Sequence, residues 1–185
     1  MMLRFLDIVF AGVGLIVTMP LMVLMYLAGL FDTGAPLFCQ TRVGRFQQPF
    51  TLVKFRTMRP DTQSIATHMV NPEAITRFGS LMRRIKLDEL PQLWNVLKGE
   101  MSLVGPRPCL FNQTELIAER HSRGVFEVRP GITGLAQVNN IDMSTPKLLA
   151  ETDAHMLQGL TLALYFKYIF MTVGGKGAGD RVKTK

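Results

Sequence analysis

Residues 86–108 read KLDELPQLWNVLKGEMSLVGPRP, and the expected fold depends on this stretch. Its leucines and tryptophan recur at the spacing of one helical face, and Gly99 is typical of a helix C-terminus. Pro91 is tolerated only in the first turn of a helix. The pattern therefore predicts a helix that begins next to Asp88 and Glu89 and ends at Gly99.

Asp88 and Glu89 allow two interpretations at this point. Acidic side chains at a helix N-terminus are favoured by capping and by the helix dipole, which is a purely structural role. The same backbone amides can also bind a phosphate or keep a carboxylate ionised as a nucleophile. The structural role is the commoner one for such a pair, but the arginine-bearing turns that follow strengthen the chemical interpretation, and both stay open at this point.

Two rigid turns present an arginine each. The apolar strand predicted at Met101–Val104 leads into Pro106-Arg107-Pro108, where prolines fix the backbone on both sides of a bidentate anion donor. The second turn carries Arg129 directly before Pro130. Together the two turns predict an anionic substrate.

A β-hairpin is predicted from Pro36–Val43 and Pro49–Met58, which are rich in Phe, Val, Leu and Thr and are separated by residues 44–48. Lys54 and Arg56 share one face of its second strand. Two neighbouring cations on a sheet face form either an anion site or an ordinary solvated face.

The region after the hairpin is predicted as a polar loop over residues 59–72, with His68 as a surface residue. Ile75–Ile85 then alternates apolar and basic residues at helical spacing, which predicts a basic amphipathic helix. Such a helix suits a membrane surface, a nucleic acid or a polyphosphate, and also a solvated face.

The N-terminal region is apolar, since no charged residue occurs between Ile8 and Phe31. About 20 apolar residues suffice to cross a bilayer. Pro20 lies in the middle of the run and predicts a kink, which leaves both a spanning helix and a re-entrant helix open. The cations beyond the run predict that the rest of the chain is cytoplasmic.

The C-terminal region contains a second apolar stretch, Met156–Gly175, which is interrupted by Gln158 and Lys167. It is predicted as an interfacial or buried helix. The basic tail, residues 174–185, is expected to contact anionic lipid.

The composition excludes several classes of protein. The chain has 185 residues, 48% of them hydrophobic, and a net charge of +7. The apolar content excludes intrinsic disorder, and 16 Gly and 10 Pro without a period exclude a collagen-like chain. Cys39 and Cys109 have no Cys-x-x-Cys partner, so two free thiols are expected rather than a disulfide scaffold or a zinc site.

Five segments together resemble the bacterial sugar transferase family, the monotopic phosphoglycosyl transferases. The resemblance runs from about Arg4 to Val173. Its motifs are KFRTM at 54–58, RFG at 77–79, LDELPQLWNVLKG at 87–99, SLVGPRP at 102–108 and RPGITG at 129–134.

The resemblance implies an α+β monotopic membrane protein with a small hairpin and amphipathic interfacial helices. It implies a helix-break-helix at residues 1–31 with the break at Pro20, and a catalytic domain at residues 32–173 on the cytoplasmic face of the bacterial inner membrane. The chain looks like the minimal catalytic form of the family.

The resemblance also implies an activity. Such an enzyme moves a sugar 1-phosphate from a UDP-sugar to a polyprenyl (undecaprenyl) phosphate, with Mg²⁺, in the first membrane step of glycan assembly. Asp88 then corresponds to the nucleophile that forms a phosphosugar intermediate, and Glu89 to the metal-holding residue. The four cations expected to bind the substrate phosphates are Lys54, Arg56, Arg107 and Arg129.

The C-terminal region departs from the family pattern. Asp153 and Lys167 match it, but Asp153-Ala154-His155-Met156 lacks the expected tyrosine and no tryptophan follows. The departure concerns the sugar contacts or the protein interface, and a homodimer stays open.

Two other functions compete with transfer. A membrane-anchored basic adaptor would account for the charge and the anchor, but not for the Asp-Glu pair between arginine turns. A nucleic-acid-binding domain is opposed by the apolar N-terminus and by the absence of a nucleic-acid motif, so no nucleic acid is expected as a partner.

Overall fold

The computed structural model describes residues 2–62 and 72–177. The chain is mainly helical with a few short strands, so the predicted mixture of helix and small sheets is confirmed. The elements are α1 Met2–Thr33, β1 Leu37–Val43, β2 Pro49–Phe55, α2 Arg77–Arg84, α3 Gln92–Lys98, β3 Ser102–Val104, α4 Thr114–Ser122, β4 Gly131–Thr133, α5 Leu135–Val138, α6 Pro146–Gly159 and α7 Leu162–Val173.

The described residues form two small sheets of two strands each. β1 and β2 pair antiparallel, with Leu37 opposite Phe55 and Val43 opposite Pro49, which confirms the predicted hairpin. β2 ends at Phe55, so Arg56 follows the strand instead of lying within it. β3 and β4 pair parallel, with Ser102 opposite Gly131.

Two clusters of buried apolar residues form the core of the described chain. The first joins β2, α3, β3 and α7, and its buried members include Phe50, Leu52, Val96, Met101, Val104 and Tyr165. The second joins the hairpin to α4, α5 and α6, with Val43, Cys109, Leu116, Ala136, Leu149 and Ala150 buried.

α1 is the one helix of the described chain that is long and apolar enough to cross a membrane. It is helical from Met2 to Thr33 with Pro20 inside it, and most of its large side chains are exposed. The apolar N-terminal helix is therefore confirmed, whereas a re-entrant path through Pro20 stays a prediction.

Both ends of α1 are hydrogen-bonded to the rest of the molecule. Near the start, Arg4 Nη1 donates to the Val96 carbonyl at 2.8 Å and Nη2 to the Leu97 carbonyl at 3.2 Å. Near the end, the Thr76 hydroxyl donates to Asp32 Oδ2 at 2.7 Å. α1 is thus attached to the domain at two points far apart along its length.

Asp7 strengthens the first attachment. Its Oδ1 accepts hydrogen bonds from Ser102 Oγ at 3.0 Å, Leu103 N at 2.9 Å and Tyr165 Oη at 2.8 Å. Three donors compensate the cost of burying a carboxylate, and they join α1 to β3 and α7.

The other local predictions have mixed outcomes. The basic amphipathic helix is confirmed as α2 and the strand after Gly99 as β3. A single helix over Met156–Gly175 is wrong: α6 ends at Gly159 and Thr161 caps a separate helix, α7, by accepting from the Leu164 amide. His68 and the tail beyond residue 177 lie outside the described residues.

Candidate active site

Asp88 and Glu89 lie in a 3₁₀ turn, Leu87–Glu89, that precedes α3. α3 begins only at Gln92 with Pro91 at its N-cap, so the carboxylates do not cap this helix as the structural interpretation required. Lys86 enters the turn in the left-handed conformation, with φ of 58°. Asp88 is 2% exposed and Glu89 7% exposed. Burying two adjacent carboxylates is costly, so a capping role does not account for them.

Arg107 binds the second carboxylate of this pair, Glu89. Its Nη2 donates to Glu89 Oε1 at 2.9 Å. Two buried arginines hold the backbone of the turn, since Arg120 Nη1 donates to the Arg107 carbonyl at 2.8 Å and Arg42 Nη1 to the Pro108 carbonyl at 3.1 Å. The predicted arginine turn is thereby joined to the predicted carboxylates.

Lys54 and Arg56 both contact the aromatic ring of Phe38. In the hairpin, Phe38 lies opposite Lys54. Lys54 Nζ is 5.6 Å and Arg56 Cζ 5.4 Å from the ring centroid, within the range of cation-π contacts. Lys54 is buried, which rules out the solvated strand face for this residue. β2 also packs against the Leu87–Glu89 turn, so Lys54 belongs to the strand next to the carboxylates.

The Arg56 side chain donates hydrogen bonds to two backbone carbonyls. Its Nε donates to the Ala35 carbonyl at 2.8 Å and its Nη2 to the Leu37 carbonyl at 3.3 Å. These bonds fix the entry to the hairpin.

Arg129 reaches a different place from the one predicted. Its Nε donates to the Gly99 carbonyl at 2.7 Å, at the C-terminal end of α3, where Arg4 also binds. Burial, and then the positive charges of Arg4 and Arg45, lower the pKa of Arg129. The Asp88-Glu89 turn precedes the other end of α3, so the structure does not bring Arg129 to the carboxylates.

The backbones of the two arginine turns nevertheless touch. The Gly131 amide donates to the Pro106 carbonyl at 2.8 Å. A Cβ atom on Gly131 would lie 2.0 Å from the Gly105 nitrogen, so only glycine permits this approach. The turns pack together while their arginine side chains bind to opposite ends of α3.

One buried ion pair near the site has no signal in the sequence. Asp153 Oδ2 accepts from Arg120 Nε at 3.0 Å and from Arg120 Nη2 at 2.6 Å, and both side chains are almost fully buried. Burial raises the pKa of Asp153, and Arg120 opposes that shift. Arg120 lies in α4, a helix that the sequence pattern does not indicate, and only the match of Asp153 to the family pattern pointed to this region.

These features define a class of protein. An exposed apolar helix lies against a domain in which two buried carboxylates meet an arginine and pack beside a strand that carries a buried lysine. The class so defined has one helix long and apolar enough to cross a membrane, next to a candidate site of two buried carboxylates, an arginine and a lysine.

Comparison with known proteins gives the family. The family model "Bacterial sugar transferase" matches residues 1–176, and the chain belongs to this family.

Three relatives illustrate it. A UDP-glucose:undecaprenyl-phosphate glucose-1-phosphate transferase of Caulobacter vibrioides is 41% identical over 143 residues, covering 75% of this chain and 54% of that protein. An undecaprenyl-phosphate glucose phosphotransferase of Komagataeibacter xylinus is 36% identical, covering 92% of this chain and 35% of that protein. An exopolysaccharide production protein of Rhizobium leguminosarum bv. phaseoli is 34% identical, covering 92% of each chain. The first two relatives are thus much longer than the part that this chain matches.

Proposed function

We propose that this protein is a phosphoglycosyl transferase that moves a sugar 1-phosphate from a UDP-sugar to undecaprenyl phosphate. The observation that carries the proposal is the buried Asp88-Glu89 pair, with Glu89 bound by Arg107, in a chain of the bacterial sugar transferase family. Relatives named as undecaprenyl-phosphate sugar transferases support the choice of substrates. Glycan assembly, as in exopolysaccharide production, is the corresponding process.

In the first step, a carboxylate oxygen of Asp88 bonds to the phosphorus that carries the sugar. The bond from that phosphorus to the bridging oxygen breaks, and UMP leaves with the electron pair. In the second step, an oxygen of the lipid phosphate bonds to the same phosphorus and the bond to Asp88 breaks. The two substrates therefore react in turn, which predicts ping-pong kinetics.

The cations have separate tasks in this scheme. Arg107, on its rigid turn, binds diphosphate oxygens in this scheme, since a guanidinium can donate two parallel hydrogen bonds. Lys54 adds positive charge from the adjacent strand, where burial strengthens its electrostatic effect. Arg56 and Arg129 act through the backbone that they hold.

The donor set near Asp88 fits Mg²⁺. Magnesium in proteins is commonly held by one or two carboxylates and completed by substrate phosphates and water. The residues at 2–62 and 72–177 contain no group of three or more His, Cys, Asp or Glu side chains that would form a closed protein site. Glu89, beside Asp88, would hold the ion, which would neutralise charge on the diphosphate.

We also propose a re-entrant α1 and a catalytic domain on the cytoplasmic face of the bacterial inner membrane. Support comes from the two attachments of α1, because Arg4 and Asp32 both bind groups of the same domain. Pro20 removes one backbone hydrogen bond between these ends, which favours a bend there. This arrangement keeps the site in contact with both cytosolic nucleotide-sugar and membrane lipid.

The test is a panel of UDP-sugars incubated with undecaprenyl phosphate and Mg²⁺, with UMP release as the readout. Asp88→Asn should abolish UMP release and the sugar-phosphate adduct seen by mass spectrometry in the wild type. Glu115→Gln, an exposed change on α4, is the control that should keep both. UMP release by no member of the panel would favour the basic adaptor, and turnover by Asp88→Asn would refute the covalent step.

A further inference from the structure

The turn that carries Arg107 is held by two buried arginines from distant parts of the chain. Arg42 of β1 binds the Pro108 carbonyl and Arg120 of α4 binds the Arg107 carbonyl. Arg120 is 1% exposed and its partner Asp153, on α6, is fully buried. A chain of contacts therefore runs from Asp153 through Arg120 and Arg107 to Glu89.

We propose that Arg120 and Asp153 are positioning residues that hold Arg107 in place to bind Glu89 and the substrate diphosphate. The kinetic part of this inference rests on the proposed transferase activity, and the structural part does not.

The geometry of the guanidinium carries the argument. Asp153 Oδ2 accepts from both Nε and Nη2 of Arg120, which fixes the plane of the group. The remaining nitrogen, Nη1, then points at the Arg107 carbonyl, 2.8 Å away. A single ammonium cannot bind both partners in this way, because only arginine carries a planar fork of donors.

Packing alone does not account for the pair. Two charges buried in a protein lose more hydration energy than apolar side chains of similar volume, so a buried pair is poor evidence for a stabilising role. The specific effect of this pair is to fix the position of the Arg107 backbone. A small displacement of a substrate-binding group can lower a rate by about 10²-fold.

A second ion pair between the same two helices supplies the control. Arg123, at the C-cap of α4, binds Glu151 of α6 at 3.3 Å, and both side chains are partly or largely exposed. Among the described residues, the Arg123 side chain binds Glu119, Ser122 and Glu151, none of which belongs to the arginine turn. Glu151→Gln therefore weakens the contact between α4 and α6 without changing the support of Arg107.

The first measurement is kcat/KM for transfer in a double-mutant cycle. Asp153→Asn and Arg120→Lys should each lower it by about 10²-fold, and Glu151→Gln should change it less than about threefold. In an Arg107→Ala background, Asp153→Asn should have almost no further effect, because it acts through Arg107. The proposal would be wrong if the two losses in kcat/KM multiplied in the Asp153→Asn, Arg107→Ala double variant. It would also be wrong if Arg120→Lys transferred sugar phosphate as fast as the wild type.

The second measurement needs no activity. Hydrogen exchange in the peptide covering residues 105–110 should become faster in Arg120→Lys than in the wild type, while β1 and β2 keep their protection. Glu151→Gln should leave the peptide unchanged. If Asp153→Asn does not fold, Arg120→Lys is the variant that decides the test, because it retains the buried positive charge.

The two measurements separate the two proposals. If the wild-type protein transfers no sugar phosphate, the proposed function fails and the exchange rates alone decide the positioning role. Unchanged exchange at residues 105–110 in folded Arg120→Lys would contradict that role whatever the activity.

Discussion

Glu89 lies between a nucleophile candidate and a cation, since it follows Asp88 directly and accepts a hydrogen bond from Arg107. One of its carboxylate oxygens, Oε1, is engaged by the arginine. A carboxylate in this position can hold a metal ion and orient the arginine at the same time, and both tasks need its negative charge.

Glu89→Gln tests that charge. The amide preserves size and burial but can neither bind Mg²⁺ well nor form the ion pair, so we expect UMP release to fall by about 10²-fold or more. The measurement is the rate of UMP release over a range of Mg²⁺ concentrations, with exposed Glu115→Gln as the control. A near-normal rate at ordinary Mg²⁺ would show that Glu89 does not hold the metal.

The phenol of Tyr165 makes the free energy of unfolding depend on pH in the alkaline range. Burial first, and then its hydrogen bond and charge contact with Asp7, raise the pKa of its phenol above the ordinary value of about 10. The folded state therefore keeps the proton where the unfolded state releases it. The contribution is complete below pH 10 and is lost as the pH rises above it.

We expect the free energy of unfolding to fall between pH 9 and about 11 in the wild type, and to fall less in Tyr165→Phe, which has no proton to lose. Denaturant unfolding at several pH values measures this. Tyr26→Phe, an exposed change in α1, should follow the wild-type curve. Identical pH dependence in wild type and Tyr165→Phe would contradict the assignment.

At the scale of elements, the parallel pair β3 and β4 sets the distance between the two arginine turns. Backbone touches backbone where Gly105 meets Gly131, and the Gly131 amide is bound to the Pro106 carbonyl. This contact leaves no room for a side chain on Gly131.

Gly131→Ala should therefore displace the turn that carries Arg107. Its Cβ would meet backbone atoms, which cannot rotate away, so we expect a loss of about 1–3 kcal/mol in stability together with reduced transfer. Thermal unfolding and UMP release measure the two effects. Gly159→Ala is the matched control, because nothing lies within 4 Å of a Cβ atom there. Equal melting temperatures for both variants would show that the turns can separate without cost.

At the scale of the whole molecule, α1 is attached to the domain near both of its ends. Its first turns bind α3, β3 and α7 through Arg4 and Asp7, and its last turn binds Thr76. A helix that crossed the membrane completely would place these two attachments on opposite sides of the bilayer, although both bind the same domain.

Cysteine labelling tests the topology. In a Cys39→Ser background, Met2→Cys should react with a membrane-impermeant reagent only after the cells are permeabilised, because a re-entrant helix keeps residue 2 on the side of Asp88. Adding Pro20→Ala should increase labelling in intact cells, since the run is long enough to cross. Strong labelling of Met2→Cys in intact cells would show a spanning helix.

The local periodicity of the sequence was sufficient for much of the architecture. The apolar α1, the hairpin, the basic helix α2 and the strand after Gly99 each depend on spacing within a few residues, so they could be read from the chain. The motif at 86–108 likewise placed Asp88, Glu89 and Arg107 near one another, because the turns on either side of α3 are short. The break at Gly159 to Thr161 was missed because a capping hydroxyl is a weak signal inside an apolar run.

The tertiary structure alone decided where the long side chains bind. Arg107 and Arg129 lie in turns of similar sequence, yet one binds Glu89 and the other the Gly99 carbonyl at the far end of α3. Arginine side chains are long and flexible, so their partners are chosen by which carbonyls and carboxylates the packed elements bring within reach. For the same reason no spacing could reveal the pairing of Arg120 with Asp153, because that contact joins two helices that meet only in the folded chain.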